Sequence, residues 1–478
     1  MTILITLFAI ILILQIVVLG SVIFLENRDP ARTIVWLLVL GVLPILGAIL
    51  YLVFGRTFRR RKLARYRNAS QKRLEHIIKN QRKLLGSSDI MLGDKVPQKK
   101  KLVRLLVDNS LAPLTKNNRA QVLTNGVETF KAIFEAMEAA EHHIHLEYYI
   151  FKYDEVGKDV IEILTKKVRA GVKVRVLVDG WGSRKFSKEL AELKKVGVSA
   201  EWFFPVKFPF FSSKLNNRNH RKIIVVDGKV GFIGGLNIGD EYLSRDKRFG
   251  FWRDTFLRLE GESVHLVQTI FLNDWFFVTR EDVTERKYFP KSNAVGDQLT
   301  QIAASGPDSD WESLLQVFFT AINGAEKSIY IETPYFVPDE STLMAIKTAA
   351  RSGLDVRLIF QGIADHKLTF WASHSYFEEL LEAGVRIYHY QKGILHAKIL
   401  IVDGEIGSLG STNFDNRSFR INFEINAFIY NREFAQRLEQ DFNQDILDSV
   451  EIDYEEFRSR PFANRVKESS ARLLSPIL

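Results

Sequence analysis

Residues 219–237 read NHRKIIVVDGKVGFIGGLN, and residues 395–413 read LHAKILIVDGEIGSLGSTN. In both, a His is followed by Lys at +2, Asp at +7, Gly at +8 and +14, a small residue at +15 and Asn at +17. The first copy supplies His220, Lys222, Asp227, Gly228, Gly234, Gly235 and Asn237; the second supplies His396, Lys398, Asp403, Gly404, Gly410, Ser411 and Asn413. Between Lys and Asp, the runs IIVV and ILIV read as buried strands, each ended by an Asp-Gly hairpin turn. Side chains alternate faces along a strand, so His and Lys at i and i+2 point the same way. Each strand therefore offers an imidazole and an ammonium together. The Asp has the opposite parity and begins the turn, where it supports turn amides or an interior cation.

The flanking sequence repeats as well. QVLTNG gives a short strand and turn before a helix over 127–140, a strand over 142–151, a helix over 159–170 and a strand over 172–180. The order returns as a helix over 316–325, a strand over 327–336, a helix over 340–351 and a strand over 354–362. Glu147 then aligns with Glu332, Gly171 with Gly353 and Gly180 with Gly362. A further helix ends at Gly197 or Gly384, and the His-Lys strand comes next. These β-α-β units predict an α/β fold of two similar lobes facing each other, each a mixed sheet flanked by helices. The lobes are placed at residues 119–300 and 301–478. Only the first carries an insertion, FFPVKFPFFSSKLNN, whose Phe203, Phe204, Phe208, Phe210, Phe211, Lys207 and Lys214 suit either a loop dipping into lipid or a flap packed on the protein.

At 478 residues and 46% apolar content the chain exceeds a single-domain core and is neither disordered nor fibrous. The absence of cysteine removes disulfides, thiolate nucleophiles and Cys-based metal sites. A net charge of +9 fits nucleic acid, an anionic membrane or a phosphorylated substrate. Its distribution favours a membrane. Residues 3–25 are uncharged and as a helix would be about 34 Å long, enough for a hydrocarbon core of about 30 Å. Without a basic n-region or cleavage pattern they do not read as a signal peptide. A second apolar stretch, 33–54, contains Pro44 and Gly47, both tolerated in membrane helices. Then come Arg56, Arg59, Arg60, Arg61, Lys62, Arg65 and Arg67. By the positive-inside rule this side is cytoplasmic, with both chain ends inside. The same cluster suits anionic head groups, or serves topology alone. The expectation is a two-helix transmembrane anchor at 1–55, with a shallow hairpin as the other geometry, and a basic juxtamembrane linker at 56–118.

If the two His-Lys-Asn sets surround one phosphodiester, one neutral His attacks phosphorus while the other, protonated, gives its proton to the leaving alkoxide. Lys222, Lys398, Asn237 and Asn413 then supply fixed donors to the phosphoryl oxygens, so that no metal or other cofactor is required. Each His needs an acceptor on its second ring nitrogen. Asp254 in WRDTFLRLEG and Glu424 in NFEINAFIY stand at comparable places; the competing readings are exposed carboxylates or salt bridges with Arg253 or Arg420. The run HHIH at 142–145 lacks an accompanying carboxylate or Cys pattern and reads as strand residues.

The doubled pattern resembles the HKD motifs of the phospholipase D superfamily, with His220, Lys222, Asp227, His396, Lys398 and Asp403 as the named residues. More narrowly, NRDPARTIVWLLVLGVLPILGAILYLVFG, HIHLEYYIF, ETPYFVPD and SYFEELLEAGVRIYHY resemble bacterial cardiolipin synthases along essentially the whole chain. That resemblance implies condensation of two phosphatidylglycerol molecules into cardiolipin with release of glycerol, through a phosphatidyl-histidine and without a cofactor. It implies that His220 attacks and His396 protonates glycerol, with Glu424 supporting His220 and Asp254 supporting His396 from the opposite lobe. The spacing itself is symmetric and does not assign the two His roles. The implied setting is a bacterial cell membrane, multi-pass, with the lobes on the cytoplasmic side against an anionic lipid surface and no nucleic-acid partner. Competing readings are a membrane-bound phospholipase D using water, transfer to another alcohol, an HKD nuclease and a lipid-binding scaffold without turnover.

Overall fold

The run IIVV forms the strand Ile223–Val226, and ILIV forms Ile399–Val402. Both faces of these strands are covered: Ile223 and Val225 enter one apolar cluster, Ile224 and Val226 another. Burial on both sides is why the run is continuously apolar instead of alternating. Each strand ends in the expected turn. Lys229 N donates to Val226 O and Glu405 N to Val402 O, both at 3.0 Å. Between them Asp227 and Gly228 have φ of 55° and 67°, and Asp403 and Gly404 have 57° and 63°. Two consecutive positive φ values make these type I′ turns, which Asp-Gly accommodates at low cost.

The computed structural model describes residues 100–205, 217–283, 285–307 and 312–478, and before residue 100 the helix Pro30–Val42 with scattered positions. One 15-stranded mixed sheet runs through the molecule. From its first-half edge the order is Ser199–Phe203, Lys173–Asp179, His143–Tyr148, Ile223–Val226, Val230–Gly234, Thr255–Glu260 and Thr115–Thr124. The second half continues with Gln298–Ser305, Glu424–Tyr430, Ile406–Gly410, Ile399–Val402, Ser328–Thr333, Asp355–Gln361, Arg386–Tyr390 and Ser449–Glu451. The repeat is therefore real, but the halves do not keep separate sheets. Their equivalent first strands meet antiparallel, Thr115 opposite Thr300 and Asn118 opposite Gln298.

Helices Asn125–Glu138, Glu155–Arg169 and Ser187–Lys195 cover one face of the first half, and Ser313–Asn323, Glu340–Arg351 and Phe377–Glu382 the same face of the second. On the other face, Ser263–Thr279 and Arg432–Leu447 pack into a single apolar cluster drawn from both halves. The helix Lys100–Asn109, inside the stretch read as linker, buries Leu102, Val103, Leu106 and Val107 against the second half. Phe203 and Phe204, the first residues of the insertion, are core residues packed on Phe277 and Phe423, not lipid-facing ones. The rest of the aromatic run, Phe208, Phe210 and Phe211, lies outside the described residues, as do the cluster Arg56–Arg67 and nearly all of 3–25. Among the described residues no helix is long and apolar enough to cross a membrane.

The HHIH segment opens the strand His143–Tyr148. His143 and His145 are buried around Tyr288, with ring centroids 4.8 and 5.6 Å away, and Gln268 lies 3.2 Å from His143 Nε2 and 3.1 Å from His145 Nδ1. Burial, with His142 next to it, pushes the pKa of His143 down to about 3; burial and neighbouring His389 push His374 down to about 3, and burial takes His389 to about 4. Below the ordinary value of 6.5 the unfolded chain takes up protons that these folded imidazoles refuse, so folding stability is full above that pH and falls as pH drops towards 4. At pH 5 each contributes a loss of about 2 kcal/mol. Denaturation midpoints in detergent should fall between pH 7.5 and 5, and His389→Phe should flatten that slope; an unchanged slope would contradict neutral burial.

Candidate active site

The segments carrying the two His residues cross to the opposite half before entering their strands. Asn219 bridges Phe423 in parallel; His220 N donates to Phe423 O at 2.9 Å and Phe423 N to Arg218 O at 2.8 Å. In the mirror arrangement Gly393–Leu395 pairs in parallel with Phe251–Arg253, and His396 N donates to Arg253 O at 2.7 Å. The residue after each bridge is the carboxylate. Glu424 Oε1 and Oε2 lie 3.0 and 3.1 Å from His220 Nδ1, and Asp254 Oδ2 lies 2.7 Å from His396 Nδ1. Both carboxylates are fully buried. A carboxylate on Nδ1 fixes the proton there and leaves Nε2 as the basic nitrogen. Neither competing salt bridge forms: Arg253 turns to Asp445 at 2.7 Å, and Arg420 lies near Glu312 and Asp339 at 3.4 and 3.7 Å.

The small residues of the motif make room for these carboxylates. A Cβ on Gly235 would stand 2.2 Å from Asp254 Oδ1. At the equivalent place Ser411 donates its hydroxyl to Glu424 Oε2 at 2.5 Å. Gly234 and Gly410 are equally constrained, since a Cβ would meet the Phe256 ring at 2.3 Å or Ile425 O at 2.1 Å.

The four basic groups sense one another across the halves. Burial, then the Lys398 charge against the pull of Glu424, takes the Lys222 pKa down to about 7; burial takes Lys398 to about 8. Burial and Lys398 push His396 down to about 4, with Lys222 adding to the effect. His220 is also lowered by burial and by Lys222, and Lys398 reaches it too, although Glu424 opposes them. Burial works against the charge of Glu424, but His220, Lys222 and Ser411 hold its pKa below the usual carboxylate value. Lys222 Nζ donates to His220 O at 2.6 Å, and Lys398 Nζ makes the same bond to His396 O. The two His-Lys pairs thus surround one centre. An anion arriving there would raise all four pKa values and restore their charges.

Other groups hold the frame. Arg221, at 4% exposed, points to the face opposite His220 and Lys222, as strand parity requires. It pairs with Asp274 and donates to Glu424 O and Ser305 O, each at 3.0 Å. Arg253 Nη1 similarly donates to Asp254 O at 2.7 Å while Nη2 faces Glu332 at 3.8 Å. Asn219 donates to Glu147. Burial, together with Asp274 beside Glu147 and Asp445 beside Glu332, raises both Glu pKa values well above the usual range. Sequence reading aligned these two Glu residues but missed the arginines, although the parity of NHRK points to Arg221. The rings of Tyr149 and Trp252 line the site, 5.1 Å from His220 and 5.3 Å from His396.

The remaining motif residues divide. Asn237 accepts from Ile150 N at 3.2 Å and donates to Tyr242 Oη at 3.0 Å, whereas Asn413 Oδ1 is buried without a hydrogen-bond partner among the described residues. Asp227 accepts the N–H groups of Glu141, His142 and His143 at 2.8–2.9 Å, and Asp403 those of Glu326, Lys327 and Ser328 at 2.7–3.1 Å. Their carboxylates are spent on capping the neighbouring strands and do not join the imidazoles.

The family described as "Cardiolipin synthase, PLD-like domain" matches residues 133–275 and 318–446. A protein of Geobacillus kaustophilus named cardiolipin synthase is 47% identical over 475 residues, 99% of this chain and 94% of its own length. The chain belongs to the cardiolipin synthase family. The family's major cardiolipin synthase from Bacillus subtilis is 42% identical, with 98% of each chain covered. Residues 13–56 match a second family, described as "Phospholipase_D-nuclease N-terminal". Among solved structures, the phosphatidylserine synthase of Haemophilus influenzae aligns with 80% of this chain and 100% of its own at a TM-score of 0.61 and 16% identity, a likeness of fold.

Gly235→Ala should displace Asp254 from His396 and lower phosphatidyl transfer on the order of 100-fold. Ser411→Ala removes one hydrogen bond from Glu424 and should cost about tenfold. Rates of the two folded variants check this ordering; a silent Gly235→Ala would contradict it.

Proposed function

We propose that this enzyme is a cardiolipin synthase that moves the phosphatidyl group of one phosphatidylglycerol to a glycerol hydroxyl of another, giving cardiolipin and glycerol. The observation that carries the reading is the pair of reciprocal His–carboxylate contacts, each made across the halves, in a chain nearly half identical to proteins named for that reaction. In the first step His220 Nε2 attacks phosphorus, a P–N bond forms and the P–O bond to glycerol breaks. His396, charged when the phosphate anion arrives and balanced by Asp254, hands its proton to the departing oxygen. In the second step the acceptor hydroxyl returns a proton to His396 while its oxygen displaces His220. Lys222, Lys398, Asn413 and the second amide proton of Asn237 stabilise the charge on the phosphoryl oxygens. Family resemblance supports giving His220 the attack; the geometry is compatible with either order.

The membrane setting supports lipid over water-soluble substrates. In this reading residues 1–55 anchor the enzyme in the bacterial cell membrane, 56–118 approach the anionic lipid surface, and both lobes, 119–300 and 301–478, lie on the cytoplasmic side. Apolar length at 3–25 and 33–54 and the following arginines support it.

Purified enzyme in phosphatidylglycerol vesicles should release glycerol and form cardiolipin in equal amounts. Phosphatidic acid without cardiolipin would make water the acceptor. His220→Ala and His396→Ala should each lower transfer by at least 100-fold, and appreciable turnover by either would defeat a shared site. Acid-labile phosphatidyl-enzyme should be trapped in His396→Ala and absent in His220→Ala; the reverse would exchange their roles. Deleting residues 1–55 should reduce membrane association while the circular dichroism of the lobes persists.

A further inference from the structure

The two halves repeat their chemistry but not their surrounding charge. Arg218, two residues before His220, is 4% exposed and lies 3.3 Å from Asp179. Its backbone carbonyl is part of the bridge that brings Glu424 to His220. Arg417 comes from the other half, in the short helix Asn416–Arg420 that follows Asn413. Its charge acts on Tyr149, Arg218 and Glu424. Arg184, exposed and stacked on Trp181 at 4.8 Å, reaches the same Tyr149. Tyr149 in turn packs its ring against His220 and under Lys222 Nζ, at 5.1 and 5.6 Å. Three guanidinium groups therefore converge on one tyrosine at the wall of the His220 half-site.

The repeat shows what a symmetric site would have there. At the positions equivalent to Arg218, Arg417 and Arg184 stand Ile394, Glu241 and His366. Glu241 is ion-paired with Lys152. The positive charge beside His220 has no counterpart beside His396, and the reacting phosphate, which both half-sites share, does not need it.

We infer that Arg218 and Arg417 form a second anion subsite, built across the two halves, that holds the phosphodiester of the acceptor lipid while its glycerol hydroxyl attacks. This rests on the synthase reading above. In that reaction the donor brings only the phosphate that reacts, whereas the acceptor brings one that stays intact. In the product the two phosphates are joined by a single three-carbon glycerol bridge. The intact phosphate must therefore lie at the edge of the catalytic centre, within reach of either imidazole, whichever attacks. Two guanidiniums suit a phosphodiester, which each can bind through paired N–H donors. Repulsion between them is relieved when the anion arrives. A hydrolase has no use for such a subsite, because water carries no phosphate. Arg184 stands at the outer rim of the same wall.

The test compares two rates in one preparation of full-length enzyme in phosphatidylglycerol vesicles. One is incorporation of labelled glycerol into phosphatidylglycerol, which uses an acceptor without phosphate; the other is cardiolipin formation. For Arg218→Gln and Arg417→Gln the ratio of cardiolipin formation to glycerol exchange should fall about tenfold or more, and Arg417→Lys should restore much of it. Equal loss of both rates, or an unchanged ratio, would overturn the subsite. A measurement on unaltered enzyme guards against misfolded variants: glycerophosphoglycerol, the deacylated lipid, should outcompete glycerol as acceptor at least tenfold, and equal use of the two would also overturn it. If the unaltered enzyme moves phosphatidyl groups to glycerol but never makes cardiolipin, the synthase reading fails by itself, before any variant is compared.

Discussion

Everything at the centre depends on an exchange between the halves. Each His-bearing segment leaves its own half, hydrogen-bonds the backbone of the other and receives a carboxylate from it. His220 takes Phe423 O and Glu424; His396 takes Arg253 O and Asp254. A fully buried carboxylate is costly unless it is paired and hydrogen-bonded. Here the partners are the imidazoles, Ser411 and backbone amides such as Thr255 N. The catalytic contacts are therefore also structural ones. Neither half holds an oriented imidazole without the other.

Around that exchange, burial keeps the empty centre poorly charged. Both imidazoles are depressed, and the two lysines have been brought close to neutrality. A phosphodiester supplies the missing negative charge, so binding and activation are one electrostatic event. Arg221 and Arg253 steady the arrangement from beneath by holding the peptide carbonyls of the two carboxylate residues. That support is asymmetric in origin, because both arginines belong to the first half.

Much of this was legible in the sequence. Strand parity placed His and Lys together, Asp-Gly gave the turn, and the repeat gave the order of elements. The carboxylates were found by their equal offset from the two motifs. What escaped was long-range. Nothing in periodicity says that the first strands of the two halves join edge to edge, or that the polar stretch before residue 119 ends in a helix sealing the second core. The insertion misled in part because Phe203 and Phe204 have the composition of a lipid-facing loop yet complete a strand and its packing. Local pattern records which face a side chain takes; it does not record which partner arrives from a hundred residues away.

The continuous sheet has a further consequence. Across the central pair, Thr115 Oγ1 donates to Thr300 O and Asn118 Nδ2 to Gln298 O, and the helices behind it share one apolar cluster. Opening the molecule like a jaw would tear a β-ladder and expose that cluster together. The catalyst is accordingly a fixed die: between the two chemical steps one alcohol must depart and another arrive while the walls stand still. Traffic is then governed by the width and lining of the mouth, and selection between water and lipid falls to the side chains at its rim.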